Sequence, residues 1–178
     1  AVRKGSKDAR EAMREIRVLD PACGAGLFLL ALFRRLVQKK QGRNNRALTP
    51  SELLEVISTS VFGTDIDPES VSAARFVLLL AFIEECRKSG PAAPYPDQIR
   101  AACAALSETI RCGNALIAPD YFSHKPVFPF NAEERRRVNA FDWRAAFPAV
   151  MADGGFDAVI GAPPPYRPFA VKAREEYF

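Results

Sequence analysis

Histidine is nearly absent from this chain: among its 178 residues there is one, His124. A Ser-His-Asp triad and a multi-histidine metal centre therefore have little to draw on. His124 itself lies in a Pro- and Phe-rich loop stretch and reads as structural. Cysteine is sparse too. Cys23, Cys86, Cys103 and Cys112 form no Cys-x-x-Cys pair, which argues against a zinc site. Long apolar runs are also missing. The longest, residues 76–83, falls far short of the ~18–20 residues that cross a bilayer. Residues 1–17 mix acidic and basic groups without an apolar stretch, so no signal peptide is visible. Together these absences lead us to expect a soluble, cytoplasmic protein with free thiols and no membrane partner.

What is present reads as globular. Hydrophobic residues make up 48% of the chain, beside 10 Gly and 14 Pro, which is far from a disordered composition. A chain of this length fits one domain burying roughly 70% of its unfolded surface. The net charge of +4 permits nucleic-acid binding without demonstrating it. Basic residues gather in three groups: Arg34, Arg35, Lys39, Lys40, Arg43 and Arg46; then 135–137; then Arg167, Lys172 and Arg174. Solvated helix faces and contacts to an anionic partner both remain open for them.

The pattern along the chain alternates strands and helices. Residues 8–16 have helical composition and lead into an apolar run, 16–19, that ends at Asp20 as a first strand. Residues 21–26 are a Pro- and Gly-punctuated loop, and 27–40 repeat Leu and Phe at helical spacing. A polar linker is expected over 42–50. Thr49-Pro50-Ser51-Glu52 then carries a helix-start signature, with Thr49 as cap and Glu52 three residues on, opening a helix to about Ser58. Residues 61–65 read as a second strand, and Asp67 caps a helix bearing Val71, Ala74, Leu78, Ala81 and Phe82 on one side. After a break at 89–96 come a helix over 97–106, a third strand over 109–112, a loop over 118–131 and a fourth strand over 156–161. This alternation predicts an α/β fold with a Rossmann-like, doubly wound parallel sheet. In such sheets ligands bind beyond the carboxyl ends of the strands, and four motifs fall there.

Asp20-Pro21-Ala22-Cys23-Gly24-Ala25-Gly26 joins a strand to a helix. Helix N-terminal amides suit a carboxylate or phosphate, but Asp20 would repel a pyrophosphate. Amide donors beside a carboxylate fit an amino-acid zwitterion. A plain packing turn is the competing reading. At the end of the second strand, Asp65 can accept from ribose hydroxyls, while Ile66 offers an apolar surface to an adenine; Asp67 is assigned to helix capping. In Gly113-Asn114-Ala115-Leu116, the Asn114 amide can donate and accept at an adenine edge, or it can simply make a turn. The fourth motif is Ala162-Pro163-Pro164-Pro165-Tyr166.

Taken with Phe156-Asp157-Ala158-Val159-Ile160-Gly161, these segments resemble the amino-methylating (adenine-N6) DNA methyltransferases of type I and type IIG restriction-modification systems. The approach through Phe141-Asp142-Trp143, Phe147-Pro148 and Gly154-Gly155 is similar too, so the resemblance spans about residues 16–168. It implies an S-adenosylmethionine cofactor, with Asp20, Ala22, Cys23, Gly24 and Gly26 lining its methionine end. Asp65 would hold its ribose, and Ile66 and Asn114 would flank its adenine. The implied partner is double-stranded DNA presenting a flipped adenine, with other restriction-modification subunits or domains alongside. The implied unit is a single partial methyltransferase domain over 1–178. The chain begins without Met, and the family's later strands and target-recognition domain would lie beyond Phe178, so a fragment of a longer protein is expected.

The resemblance breaks at the catalytic loop, where the family reads Asn-Pro-Pro-Tyr. Counting from the strand puts Ala162 at the Asn position; counting back from Tyr166 puts Pro163 there. Neither has an amide or carboxylate to accept from the target amine. Losing one positioned polar partner of this kind costs about 10²–10³ in rate, so methyl transfer by this loop is expected to be severely weakened. Tyr166 retains a ring on which a base can stack. Two further readings stand beside this one: methylation of RNA or a protein glutamine, and a non-catalytic cofactor-binding or structural module. A nicotinamide oxidoreductase fits poorly. The glycine pattern ends in Leu29, and Asp65 follows Asp20 by 45 residues against about 20 in that fingerprint.

Overall fold

The structure, a computed structural model, describes residues 15–90, 94–123 and 132–163, and of Glu134 the backbone only. Its centre is a sheet of four strands: β1 (Val18–Asp20), β2 (Val61–Asp65), β3 (Ile110–Cys112) and β4 (Ala158–Val159). Their order is β3-β2-β1-β4, and every pairing is parallel. The chain therefore steps outward from β1 to β3, then crosses back to lay β4 on the opposite side of β1. That reversal is the topological switch point of a doubly wound fold, and it opens a crevice at the carboxyl ends of β1 and β4.

Side-chain alternation sends the strand residues to two different cores. Val61 and Ile110 join an apolar cluster with Phe33, Leu53, Leu78 and Phe82. This layer is built by α1 (Leu27–Asn44), α2 (Pro50–Ser60), α3 (Pro68–Arg87) and α4 (Pro96–Thr109), with α2 and α3 both packed on α4. Leu19 and Phe62, paired in register across β1 and β2, face the other way. There they meet Phe141, Phe147 and Val150 from the segment that carries three short helices: α5 (Ala132–Val138), α6 (Trp143–Ala146) and α7 (Pro148–Ala152). Phe62 meets Phe147 and Phe156 edge-on, at centroid distances of 5.7 and 5.3 Å, a geometry favoured by ring quadrupoles.

Local signals explain most of the helix starts. Thr49 accepts from the Glu52 N–H while Glu52 accepts from the Thr49 N–H at 2.8 Å, a reciprocal capping box with Pro50 in the first turn. Asp67 caps α3 by accepting from the Glu69 and Ser70 amides. The sheet edge at β3 is fastened by Arg75, whose guanidinium donates to the Ile110 carbonyl at 2.6 and 3.1 Å.

Several sequence boundaries shift. Helix α1 runs through Gly42 to Asn44 and closes on Asn45 in the left-handed region, so the expected linker shortens. Helix α2 continues to Ser60, and Thr109 belongs to α4 rather than to the third strand. Of the expected 156–161 strand only Ala158–Val159 pairs. It does so beside Arg17, whose carbonyl accepts from both Asp157 and Ala158. Residues 15–17 are not helical, and the rest of the expected N-terminal helix lies outside the described residues. Among the described residues no helix is long and apolar enough to cross a membrane, and no cluster of His, Cys, Asp and Glu could hold a metal ion.

Phe82→Ala, which empties a fully buried site, is expected to cost about 3–5 kcal/mol in chemical denaturation. Thr49→Ala should cost about 0.5–2 kcal/mol. The Arg46 guanidinium, then the Thr49 amide, holds the Glu52 carboxyl down to about 2 from an ordinary 4.5. A depressed carboxylate stabilises the fold above its unfolded value and loses that contribution as pH falls through the folded one. The stability gap between wild type and Glu52→Gln should therefore close between about pH 4.5 and 2, read from denaturation midpoints.

Candidate functional site

The loop after β1 is pinned to the end of β2. The Cys23 N–H donates to the Thr64 carbonyl at 2.9 Å, and the Thr64 hydroxyl donates to the Pro21 carbonyl at 3.0 Å. The Gly24 N–H donates to Asp65 Oδ2 at 2.8 Å. Gly24 and Gly26 both take positive φ, +50° and +83°, and a Cβ on Gly26 would lie 2.9 Å from that of Ala74 on α3. The loop thus needs glycine at 26 for two independent reasons, conformation and close helix approach. Gly26 then opens α1 without a side-chain cap, and the first turn of α1 holds no acidic residue. Its free amides and the positive end of its dipole are left without a counter-charge from their own helix.

Asp20 sits at the carboxyl end of β1, only 2% exposed. Its Oδ1 accepts from the Ala22 N–H at 3.1 Å, whereas Oδ2 is buried and finds no hydrogen-bond partner among the described residues. Burial pushes its carboxyl above the ordinary range; the Ala22 amide opposes that push and the nearby Asp65 adds to it. A Cβ on Gly161 would fall 2.9 Å from Asp20 Oδ1, so the loop after β4 crosses directly over this carboxylate. A pocket of about 290 Å³ opens beside it, with Phe28, Leu32 and Ile160 in its wall. A buried carboxylate oxygen without a donor is costly. A cationic amine arriving next to it, with a carboxylate on the α1 amides, satisfies both unmet ends. The donor set therefore fits the amino-acid end of S-adenosylmethionine.

Cys23 does not supply a nucleophile. Burial first, then Asp65 and Asp20, raises its thiol to about 12, so it stays protonated and packs as an apolar group.

Across the crevice, Asp65 is engaged rather than idle. Oδ2 takes the Gly24 amide and Oδ1 the Asp67 amide at 3.0 Å. Each oxygen keeps a second acceptor direction for a ligand hydroxyl. Ile66 follows, an apolar residue 48% exposed. After β3, Asn114 Oδ1 accepts from the Leu116 N–H at 3.1 Å, the Asx turn that its sequence allowed. Its Nδ2 donates to no described residue. Ala162 and Pro163 are exposed at the end of the fourth-strand segment, and Pro164, Pro165 and Tyr166 lie outside the described residues.

Sequence reasoning missed Asn139. It is a non-glycine residue at φ +48°; its carbonyl accepts from the Asn114 amide at 2.7 Å, and its Nδ2 donates to the Ile66 carbonyl at 3.2 Å. No local motif marks it, and only the fold brings it to the strand ends. Half of the first basic group is ion-paired: Arg34 with Glu84, Lys40 with Glu55 and Arg46 with Glu52. For those three the solvated-face reading holds, with the charge met inside the chain.

A doubly wound sheet with a glycine turn and an acidic residue at the ends of its first two strands defines a Rossmann-like fold of the methyltransferase type. The profile of the Eco57I restriction-modification methylase matches residues 59–175, and the chain belongs to that family. It is 42% identical over 67 residues to the adenine-specific methyltransferase PglX of Streptomyces coelicolor, covering 38% of this chain and 6% of that protein. It is 32% identical over 116 residues to a candidate type II restriction enzyme and methyltransferase, RM.MjaORFECS2P, of Methanocaldococcus jannaschii, covering 60% of this chain and 9% of that protein. The chain thus spans under a tenth of the length of either relative. No solved structure matches it.

Because folding raises the Asp20 value, the ionised group burdens the folded state at neutral pH, and that burden lifts as pH falls through the folded value. Asp20→Asn keeps an acceptor for Ala22 and removes the charge. It is expected to raise the melting temperature of the ligand-free chain at pH 7, with a gain that shrinks on acidification. Calorimetric scans across pH check both.

Proposed function

We propose that this chain is the cofactor-binding part of an S-adenosylmethionine-dependent, site-specific DNA adenine-N6 methyltransferase of a restriction-modification system. In this reading residues 1–178 form one methyltransferase unit of a longer protein. The observation that carries it is Asp20, a buried carboxylate with an unmet oxygen, set at the switch point next to uncapped helix amides.

When bound, S-adenosylmethionine supplies an electrophilic methyl group on sulfur. The residues of this chain hold and orient it. Asp20 receives the α-ammonium, and the first-turn amides of α1, beyond Ala22, Cys23, Gly24 and Gly26, receive the carboxylate. Asp65 accepts from the ribose hydroxyls through its remaining lone pairs. Ile66 lies against one adenine face, and Asn114 meets the adenine edge. The Gly161 backbone runs over Asp20, so cofactor seating and the position of the following loop are mechanically linked. Orientation of this kind supplies much of the rate in a direct transfer.

The target adenine of double-stranded DNA would be flipped toward the 162–166 loop and stacked on Tyr166. The name of the Streptomyces relative, adenine-specific methyltransferase, supports this substrate over RNA or a protein glutamine. Loop chemistry sets the limit. Ala162 and Pro163 offer no side-chain acceptor for the target amine, so this chain binds cofactor and transfers methyl slowly or not at all. The same observation favours a second reading, a cofactor-binding module that has lost catalysis.

Calorimetric titration of S-adenosylmethionine into this chain is expected to show saturable binding, weakened by ~1.5–3 kcal/mol in Asp65→Ala, where charge-assisted hydrogen bonds are lost. NAD should not bind. No binding by a demonstrably folded sample would refute the cofactor reading. In the longer protein, Ala162→Asn is expected to raise adenine methylation of DNA by about 10²-fold or more; no gain there would favour the non-catalytic module.

A further inference from the structure

The adenine end of the proposed site has two walls that belong to different strands, and one residue ties them together. Ile66 follows β2 and Asn114 follows β3. Asn139 comes from neither, entering from the end of α5, where its N–H closes on the Arg135 carbonyl at 3.0 Å. From there it reaches both walls. Its backbone carbonyl accepts from the Asn114 amide at 2.7 Å, while its side-chain Nδ2 donates to the Ile66 carbonyl at 3.2 Å and approaches the Cys112 sulfur at 3.4 Å. The next residues complete the clamp. Ala140 bridges Asn114, and the Phe141 N–H donates to the Ile117 carbonyl at 2.7 Å. The Phe141 ring so fills the space over Gly113 that a Cβ there would lie 2.3 Å from it. Asn139 holds this arrangement at φ +48°, a conformation that few side chains other than Asn and Asp tolerate. The same conformation closes α5, as Asn45 closes α1, so the turn that ends the helix also delivers the Asn139 side chain to Ile66.

We infer that Asn139 is a positioning residue that fixes the spacing between Ile66 and Asn114, and thereby makes the site selective for adenine over other purines. This rests on the cofactor reading above. The selectivity follows from hydrogen-bond polarity. The Leu116 N–H on Asn114 Oδ1 sets the orientation of that amide, because a flip would turn Nδ2 onto another donor. Locked this way, the amide presents Nδ2 as donor and the second lone pair of Oδ1 as acceptor. That pair matches a ring nitrogen and the exocyclic amine of adenine, and it opposes the N–H and carbonyl of hypoxanthine. The lock discriminates only while Asn114 is held at a fixed distance from the surface on which the ring rests, and Asn139 supplies that distance.

The test compares S-adenosylhomocysteine with S-inosylhomocysteine by calorimetry on the full chain, in wild type, Asn139→Gly and Asn139→Asp. Glycine keeps the left-handed backbone and deletes the side-chain tie; aspartate keeps the shape and sets an acceptor against the Ile66 carbonyl. Wild type should prefer the adenosyl ligand by about 10-fold or more. Both variants should lose about 5-fold in adenosyl affinity, with little change for the inosyl ligand, so that the preference collapses. Equal weakening of the two ligands, or no change in either, overturns the positioning role and leaves the cofactor reading intact. If folded wild type binds neither ligand, the cofactor reading itself fails and takes this inference with it.

Discussion

Strand β1 is hydrogen-bonded on both sides, to β2 and to β4, and that pairing fixes the carboxyl end from which the glycine turn of the candidate site departs. Both pairings are parallel and start at Val18, which meets Val61 on one side and Ala158 on the other. A three-residue strand so placed has no freedom in register, because Leu19 must face Phe62 in the aromatic layer while its neighbours face away. Asp20 is carried to a fixed point by that pairing. The β1 loop, the β2 end and Gly161 then converge on it.

The resulting carboxylate is held under electrostatic load. It is desolvated, close to a second carboxylate, and supported by one amide on one oxygen only. A purely structural residue at this point would do better as asparagine or as an apolar side chain, since an unpaired buried charge works against stability. Keeping the charge makes sense when a cation completes the site. The uncapped start of α1, a few residues along, offers the opposite charge preference. On the proposed reading the two together form a receptor for a zwitterion, the amino-acid end of the cofactor.

Much of this was legible in the sequence, and what was not has a physical reason. The strand at 61–65, the capping box at Thr49 and Glu52, and the Asp67 cap depend on neighbours within four residues, so local patterning specified them. Tertiary support drew the other boundaries. Helix α1 passes through Gly42 because its face packs on α2 and α3, and β4 shortens to two residues, which pair with Val18 and Leu19 through the Arg17 and Leu19 carbonyls. The short helices α6 and α7 were invisible because Phe141, Phe147 and Val150 fix them against Leu19 and Phe62, partners about eighty residues or more away in sequence. Asn139 belongs to the same class: its partners Ile66 and Asn114 come from two other loops. At the site, the glycine turn and Asp65 announced themselves. The unmet oxygen of Asp20 could be seen only once burial was known.

The most direct test of the central claim is a double-mutant cycle between Asp20 and the ligand's ammonium. Calorimetry would measure S-adenosylhomocysteine and its deaminated analogue against wild type and Asp20→Asn. If Asp20 receives the ammonium, removing that group should weaken wild-type binding by about 10-fold or more and Asp20→Asn binding by less than about 3-fold. Equal losses in the two proteins would contradict the account and leave Asp20 a buried charge without a ligand to answer it.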